Sequence, residues 1–348
     1  MPQTAHIFVC YGSVSFDAAL RIAEASRIPP QSLFVLCLFN ANLHSWPKQA
    51  HVYSLNARAY PEWTRSFRIA RWYRRILRDL ESAKSGTWHV YVPHPFEIPA
   101  NDLLYSNPHV ERRVLLPDGM INYLPTPALP QELVGRVRYC LRVFLKVLAA
   151  AAVGLRYRPL LSGSLTQAES FPYDSAWAPS TMGFRAPPCG VTRLPQNDMG
   201  PPAEERHAAL FLDQELSELV NPSLESALRA RLHELLEELD GEVYYRAHPR
   251  GIDRSKSFPF TENVSQAVSA EEVLHSLPIA TLIGFYSTPL LFHQEGVRRI
   301  AVLPPPDASG VRKRRLLADL REALSSSGVE VLSIAIADSR TGPPSWHM

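Results

Sequence analysis

Glu242-Val243-Tyr244-Tyr245-Arg246-Ala247, followed at once by His248-Pro249-Arg250-Gly251, reads as a β-strand ended by a sharp turn. Proline has no N–H to give to a strand ladder, so the strand stops where His248-Pro249 begins. A central strand of an open α/β sheet carries such a residue out at its carboxyl end, the edge at which these sheets bind ligands. The surrounding sequence repeats the pattern. Residues 208–212 form an apolar strand, and Asn221-Pro222 is an N-cap followed by proline at the first helical position. That helix runs to about Leu239 and stops at Asp240-Gly241. Ser269-Ala270-Glu271-Glu272 has the spacing of a capping box that opens another helix. Residues 279–283 and 299–303 are strands with a helix opening at Ser287 between them, and 311–326 and 329–335 supply a last helix and strand.

The first half alternates in the same way. Residues 6–11, 32–39, 88–92 and 113–116 are strand-like, with helices beginning near Ser15 and spanning 61–84 and 131–155. Strand–helix alternation of this kind predicts parallel sheets covered by helices on both faces. Residues 156–205 are dense in Pro, Gly, Ser and Thr with little periodicity, and read as a connection between domains with a substrate-facing loop. The expected organisation is therefore α/β, with a first Rossmann-like domain over 1–155, a connection over 156–205 and a second Rossmann-like domain over 206–348.

The length of 348 residues fits two cores of ordinary size. A formal net charge of +2 argues against a nucleic-acid binder dominated by phosphate neutralisation. Cys10, Cys37, Cys140 and Cys189 lie far apart, so reduced and mostly buried thiols are expected rather than a disulfide framework or a zinc site. No basic segment followed by a long apolar run opens the chain, and the apolar stretch 147–155 is too short to span a bilayer. A cytoplasmic enzyme is the simplest expectation.

Three short sites carry chemistry. Gly284-Phe285-Tyr286-Ser287-Thr288 turns a strand into a helix start, where unpaired amides, the helix dipole and two hydroxyls favour an anion. Simple N-capping by Ser287 is the plainer meaning, and the two are compatible. Histidine side chains titrate near neutrality, so His248 can give a proton or hydrogen bond to a departing phosphate, with Arg246 and Arg250 adding positive charge. A histidine merely placed at a bend is its alternative. Leu116-Pro117-Asp118-Gly119 ends a strand of the first half, where Asp118 can act as a general base or simply form a turn. Asn122 and Tyr123 just beyond it can hydrogen-bond a sugar or orient the loop, and His94, between two prolines, can line an acceptor cleft.

Asp118-Gly119, His248-Pro249 and Ser287-Thr288, in that order, resemble the motifs of bacterial sialyltransferases of the lipooligosaccharide sialyltransferase and polysialyltransferase type. Those families carry an acidic pair followed by glycine, a His-Pro motif and a Ser-Ser or Ser-Thr motif. Here Pro117 stands in place of the first acidic residue. The resemblance implies a GT-B fold, two Rossmann-like domains facing each other across a cleft. It implies metal-independent, inverting transfer of sialic acid from CMP-sialic acid, the donor substrate, to a glycan acceptor such as lipooligosaccharide, capsule or O-antigen, with no cofactor. Asp118 would be general base and His248 general acid and phosphate contact. Pro249, Arg250, Gly284, Tyr286, Ser287 and Thr288 would bind the nucleotide, and Asn122, Tyr123 and His94 would lie on the acceptor side. No Asp-x-Asp pair occurs, in keeping with a reaction that uses no metal. Use of another CMP-activated keto sugar such as Kdo, or a catalytically silent nucleotide- or glycan-binding protein, are the alternatives.

Arg65, Arg68, Arg71, Arg74, Arg75 and Arg78 recur at helical spacing with Trp63, Phe67, Trp72 and Tyr73 among them. A solvated helix face is the commoner meaning of such a stripe. The interspersed aromatics add a second reading, peripheral contact with the inner membrane through Arg65, Arg68, Arg71, Arg75 and Arg78. Arg312-Lys313-Arg314-Arg315 can join the same patch. His89 and His94 are not at zinc-ligand spacing, and no Gly-x-Gly-x-x-Gly, Walker or Gly-x-Ser-x-Gly motif occurs.

Overall fold

In a computed structural model of the protein, residues 4–333 are described, apart from 40–45, 83–85, 125, 131, 182–183, 185–188, 196–200, 202, 240, 249–250, 259–260, 266–269 and 292–295. The chain divides into two compact units, Met1–Pro195 and Gln196–Met348.

The first unit runs β1 (Ala5–Cys10), α1 (Ser13–Ala25), β2 (Leu33–Cys37), β3 (His51–Ser54), α2 (Glu62–Ser82), β4 (Trp88–Val92), α3 (Ile98–Tyr105), β5 (Val110–Leu115), α4 (Leu133–Ala151), β6 (Ser175–Ala178) and β7 (Val191–Arg193). Its strands form one sheet in the order β3-β2-β1-β4-β5-β6-β7, and every ladder is parallel. Ile7, Phe8 and Val9 and the whole of β2 are buried, as strands covered on both faces require. Helix α2 buries Ile69, Tyr73, Ile76 and Leu80 at three- and four-residue spacing, while Arg68, Arg71, Arg75 and Arg78 face solvent.

The second unit runs β8 (Ala208–Asp213), α5 (Pro222–Glu237), β9 (Val243–Ala247), β10 (Glu262–Asn263), α6 (Ala270–Ser276), β11 (Ile279–Gly284), β12 (Arg298–Leu303), α7 (Arg314–Ser326) and β13 (Glu330–Ser333). Its sheet is also parallel, in the order β10-β9-β8-β11-β12-β13. Helix α5 starts where Asn221-Pro222 predicts. The Asn221 side chain accepts the Leu224 N–H at 2.8 Å, and Leu224, Leu228, Leu232 and Leu236 form one buried stripe.

Each sheet reverses its winding once. In the first unit the chain winds outward from β1 through β2 to β3, then returns to β4 and winds the other way. In the second it winds from β8 to β10 and returns at β11. Connections leaving β1 and β4, and likewise β8 and β11, therefore diverge and open a crevice at the carboxyl ends of neighbouring strands.

Three expectations change. The segment 156–205 is not wholly a connection: β6 and β7 lie within it and extend the first sheet beyond β5, so the division falls after Pro195 instead of at 155. Short strands set in loops rich in Pro and Ser have too little periodicity to be recognised. The helix expected at Ser287 is a four-residue 3-10 turn, Thr288–Leu291, among the described residues, and Ser287 accepts the Leu290 N–H through its carbonyl. Of the four free cysteines, Cys10 and Cys37 are buried, but Cys140 and Cys189 are exposed. The capping residue Ser269 lies outside the described residues.

A fragment ending at Pro195 is expected to unfold cooperatively in urea, because its seven-stranded sheet is complete. A fragment ending at Leu155 leaves β5 as a bare edge and is expected to aggregate or unfold without a cooperative transition.

Candidate active site

At the crevice of the first unit, Tyr11 follows β1 and His94 follows β4. Both are buried, their rings lie 4.5 Å apart, and the Tyr11 hydroxyl donates to the His94 carbonyl at 3.1 Å. The next strand, β5, delivers Asp118 through the buried Leu116 and Pro117. The glycine after it adopts φ 78°, the left-handed region glycine enters without strain, so the chain can fold back. His94 Nε2 then stands 3.3 Å from Asp118 Oδ2. The Phe96 N–H donates to His94 Nδ1 at 3.2 Å, which assigns the imidazole proton to Nε2, facing the carboxylate.

The turn that carries His94 is held from several sides. Asn101, fully buried, donates from its amide to Pro95 O at 3.0 Å and to Arg158 O at 2.9 Å, and accepts the Arg158 N–H at 2.7 Å. Lys146 Nζ and the Tyr157 hydroxyl both donate to Phe96 O at 2.8 Å. Lys146 also pairs with Glu97 at 2.8 Å. Burial pulls the Lys146 pKa below its ordinary value against the opposing pull of Glu97. These bonds fix the ring before any ligand arrives.

Asn122 accepts the Asp118 N–H at 2.5 Å through Oδ1, and its buried Nδ2 has no partner among the described residues. Tyr123 does something else. Its hydroxyl donates to Ser180 O at 2.9 Å and accepts the Ser180 N–H at 3.1 Å, and burial raises its pKa well above the ordinary value. Both bonds of the hydroxyl run to Ser180 and tie the turn after β5 to that loop.

In the second unit the organising group is Asp213, at the end of β8 and 2 % exposed. Arg229 from α5 donates to its Oδ1 at 2.6 Å, Tyr245 from β9 donates to its Oδ2 at 2.8 Å, and Arg254 lies 3.6 Å away. Arg229 also donates to Gln214 O at 2.7 Å. Gln214 Oε1 accepts the Tyr286 N–H at 3.0 Å, and the Tyr286 hydroxyl donates to Glu215 O at 2.5 Å. Glu215 accepts from Arg254 Nη2 at 2.9 Å. Partial burial raises the Glu215 pKa, but the bonds from Arg254 and the Ile252 N–H outweigh it and hold the carboxyl below its ordinary value. One buried carboxylate thereby links the loops that follow β8, β9 and β11.

His248 and Ser287 emerge at this edge. β9 and β11 flank β8, with Ala247 opposite Asp213 and Gly284 opposite Leu212, so the residues beyond each pair rise side by side. His248 is half-buried and opens a turn closed by the Gly251 N–H to His248 O bond at 2.8 Å. Ser287 is buried, and Thr288 is half-buried. Tyr286 is half-buried, and burial pushes its pKa up to about 12. Gly284 has a packing role: an added Cβ would stand 3.3 Å from Leu212 O and 3.5 Å from Leu290 Cδ1. Pro249 and Arg250 lie outside the described residues. Arg246 is buried within the sheet. Among the described residues no group of three or more His, Cys, Asp or Glu side chains is placed to hold a metal ion.

Sequence reasoning passed over Tyr11, Asn101, Asp213, Gln214, Glu215, Arg229 and Arg254. Asp213-Gln214-Glu215 does stand directly after an apolar strand, which was the one available signal.

Residues 200–300 match the family alpha-2,8-polysialyltransferase (POLYST), a span that contains both His248-Pro249 and Ser287-Thr288. No curated protein sequence matches the chain. Among solved structures, the GT-B domain of a sialyltransferase from Photobacterium damselae is similar with a TM-score of 0.54 and 14% identity, covering 96% of this chain and 100% of that one. A 2,6-sialyltransferase from a Vibrionaceae Photobacterium species, solved with the donor product CMP and the acceptor substrate lactose, is similar with a TM-score of 0.50 and 11% identity, covering 94% and 78%. The chain therefore has the fold of the GT-B glycosyltransferases, and the polysialyltransferase family match lies in its second unit.

Arg229→Met is expected to leave Asp213 buried and short of a charged partner, at a cost of about 3–5 kcal/mol in urea denaturation. Tyr245→Phe removes one hydrogen bond to a charged group and is expected to cost about 1.5–3 kcal/mol.

Proposed function

We propose that the protein transfers sialic acid from CMP-sialic acid to a hydroxyl of a glycan acceptor, with inversion at the anomeric carbon and without a metal ion. The observation that carries this reading is the placement of His248 and Ser287 just beyond the carboxyl ends of the strands flanking β8, within the span that matches the polysialyltransferase family. The CMP and lactose bound by the Photobacterium 2,6-sialyltransferase support a nucleotide-sugar donor and a glycan acceptor. A cell-surface glycan is the acceptor class we infer. The cytoplasm, where thiols such as those of Cys140 and Cys189 stay reduced, is the compartment that fits.

In this mechanism Asp118 takes the proton of the acceptor hydroxyl as that oxygen attacks the anomeric carbon. The bond from that carbon to the phosphate oxygen breaks, and its electron pair leaves with CMP. The sugar becomes oxocarbenium-like while negative charge grows on the phosphate. His248 gives a proton or hydrogen bond to that phosphate, and the hydroxyls of Ser287 and Thr288 donate to it. Groups aimed at developing charge stabilise the transition state more than the bound substrate. CMP carries a single phosphate, a charge that side chains can meet without a cation.

His94 is a positioning residue here. Its Nε2–H fixes one oxygen of Asp118 and leaves the other for the acceptor hydroxyl. The buried Nδ2 of Asn122, with no partner among the described residues, supports the reading as well, since a buried donor without a partner carries a cost that a bound ligand can relieve.

Calorimetric titration is expected to show CMP binding, and its absence would sink the proposal. Asp118→Asn is expected to lower transfer about 10²- to 10⁴-fold while CMP affinity stays as in the wild type. His248→Ala is expected to lower both transfer and donor hydrolysis. His94→Gln, which keeps a donor, should retain more activity than His94→Ala; equal loss in both would show that the Asp118 contact has no positioning role. Chelation by EDTA is expected to leave the rate unchanged, and CMP-sialic acid to be turned over in preference to CMP-Kdo.

A further inference from the structure

Helix α4 is apolar on two opposite faces. One faces inward and buries Tyr139, Val143, Ala149 and Ala150, together with Lys146. About half a turn away, Val134 (74 % exposed), Val137, Leu141, Phe144 (57 %) and Leu148 form a continuous outward stripe, each three or four residues from the next. Trp63 (69 % exposed) and Phe67 stand at the start of α2, which the Glu62–Arg142 ion pair ties to the middle of α4. Contiguous exposed apolar surface on this scale marks an interaction site.

The charges beside the stripe are mostly basic, the acids near it being Glu132 just before α4 and Glu62, which pairs with Arg142. Between Leu133 and Ala151 there is no acidic residue, while Arg136, Arg138 and Arg142 are exposed. On α2, Arg68, Arg71, Arg75 and Arg78 are exposed as well. We propose that α4, with the first turns of α2, seats the protein on the surface of an anionic phospholipid bilayer. The outward stripe enters the interface between headgroups and acyl chains, and the arginines meet lipid phosphates. The helix lies in the plane of the membrane because its other face is committed to the core of its own unit. No helix among the described residues is long and apolar enough to cross a membrane.

Charge decides among the occupants. The three- and four-residue spacing of the stripe is also that of a coiled-coil seam. A second copy docked there about a two-fold axis would set Arg136 and Arg138 close to the same arginines, with no acid on α4 to answer them. A polyanionic glycan would satisfy the arginines but leave Leu141 and Phe144 in water. A bilayer of anionic lipid answers both. The site lies on the surface of the first unit and does not depend on the identity of the donor.

The test is co-sedimentation of the full chain with vesicles of phosphatidylglycerol and phosphatidylethanolamine, against vesicles of phosphatidylcholine. Strong preference for the anionic vesicles, weakened by salt, is expected. V137Q/L141Q/F144Q is expected to lower the partition coefficient about tenfold or more, with melting temperature and CMP affinity unchanged. In a Cys189→Ser background, a polarity-sensitive dye on the exposed Cys140 of α4 should shift to the blue when anionic vesicles are added. A chain that stays in the supernatant, that binds both vesicle types equally, or whose triple variant pellets like the wild type would overturn the proposal. So would a wild type that sediments as a dimer without lipid while the triple variant is monomeric.

Discussion

The carboxylate of Asp213 is the constraint on which the second unit's ligand edge depends. A charge buried at the end of a central strand is costly unless it is met by opposite charge and hydrogen bonds, and it recruits Arg229, Arg254 and Tyr245 to meet it. Those partners come from a helix, a loop and a neighbouring strand. Satisfying one carboxylate therefore fixes the relative positions of three elements. Gln214 and Glu215, the next two residues, extend the control to Tyr286 and to the segment beyond His248. Both cations of the network, Arg229 and Arg254, are paired with carboxylates in this arrangement. Asp213 thus acts on the site by placing other groups.

The first unit reaches a comparable rigidity with a different set. Around His94 the bonds run mostly to main-chain oxygens: Tyr11 to His94, Asn101 to Pro95, and Lys146 and Tyr157 to Phe96. A turn between two prolines has few N–H groups with which to hold itself, so its carbonyls are held by side chains from elsewhere. The result is one imidazole with a defined tautomer, 3.3 Å from the carboxylate of Asp118. Helix α4 contributes to this with its inward face through Lys146, while its outward face remains apolar and uncovered. The same helix therefore serves the site and offers the surface on which the protein can rest.

Much of the fold was legible because strong local signals agreed. Residues 88–92 are a strand as read, Asn221-Pro222 caps α5, and the apolar runs at 208–212 and 279–283 lie in β8 and β11. Weak signals failed for reasons that can be named. The strands β6 and β7 are four and three residues long and gain their place only by pairing, β6 beside β5 and β7 beside β6. Ser287 read as a helix start because a serine after a strand and a glycine turn suits an N-cap, yet the described chain there makes only a 3-10 turn. For Tyr123 the sequence left a sugar contact and loop orientation both open; packing against Phe184 and two bonds to Ser180 tie it to the loop, which only the tertiary structure shows.

By itself the sequence determined the alternation of strands and helices, the ends of the central strands and the identities of the groups at those ends. Apolar periodicity, proline and capping residues act over a few positions, so they can be read without knowing what packs against them. Only the tertiary structure decided that His94 belongs with Asp118, that Asp213 is a hub, and that the apolar positions of α4 point both inward and outward. Each of these depends on residues from different strands meeting at a sheet edge, or on which face of a helix finds a neighbour. Such meetings are set by strand order and register, which no local pattern encodes.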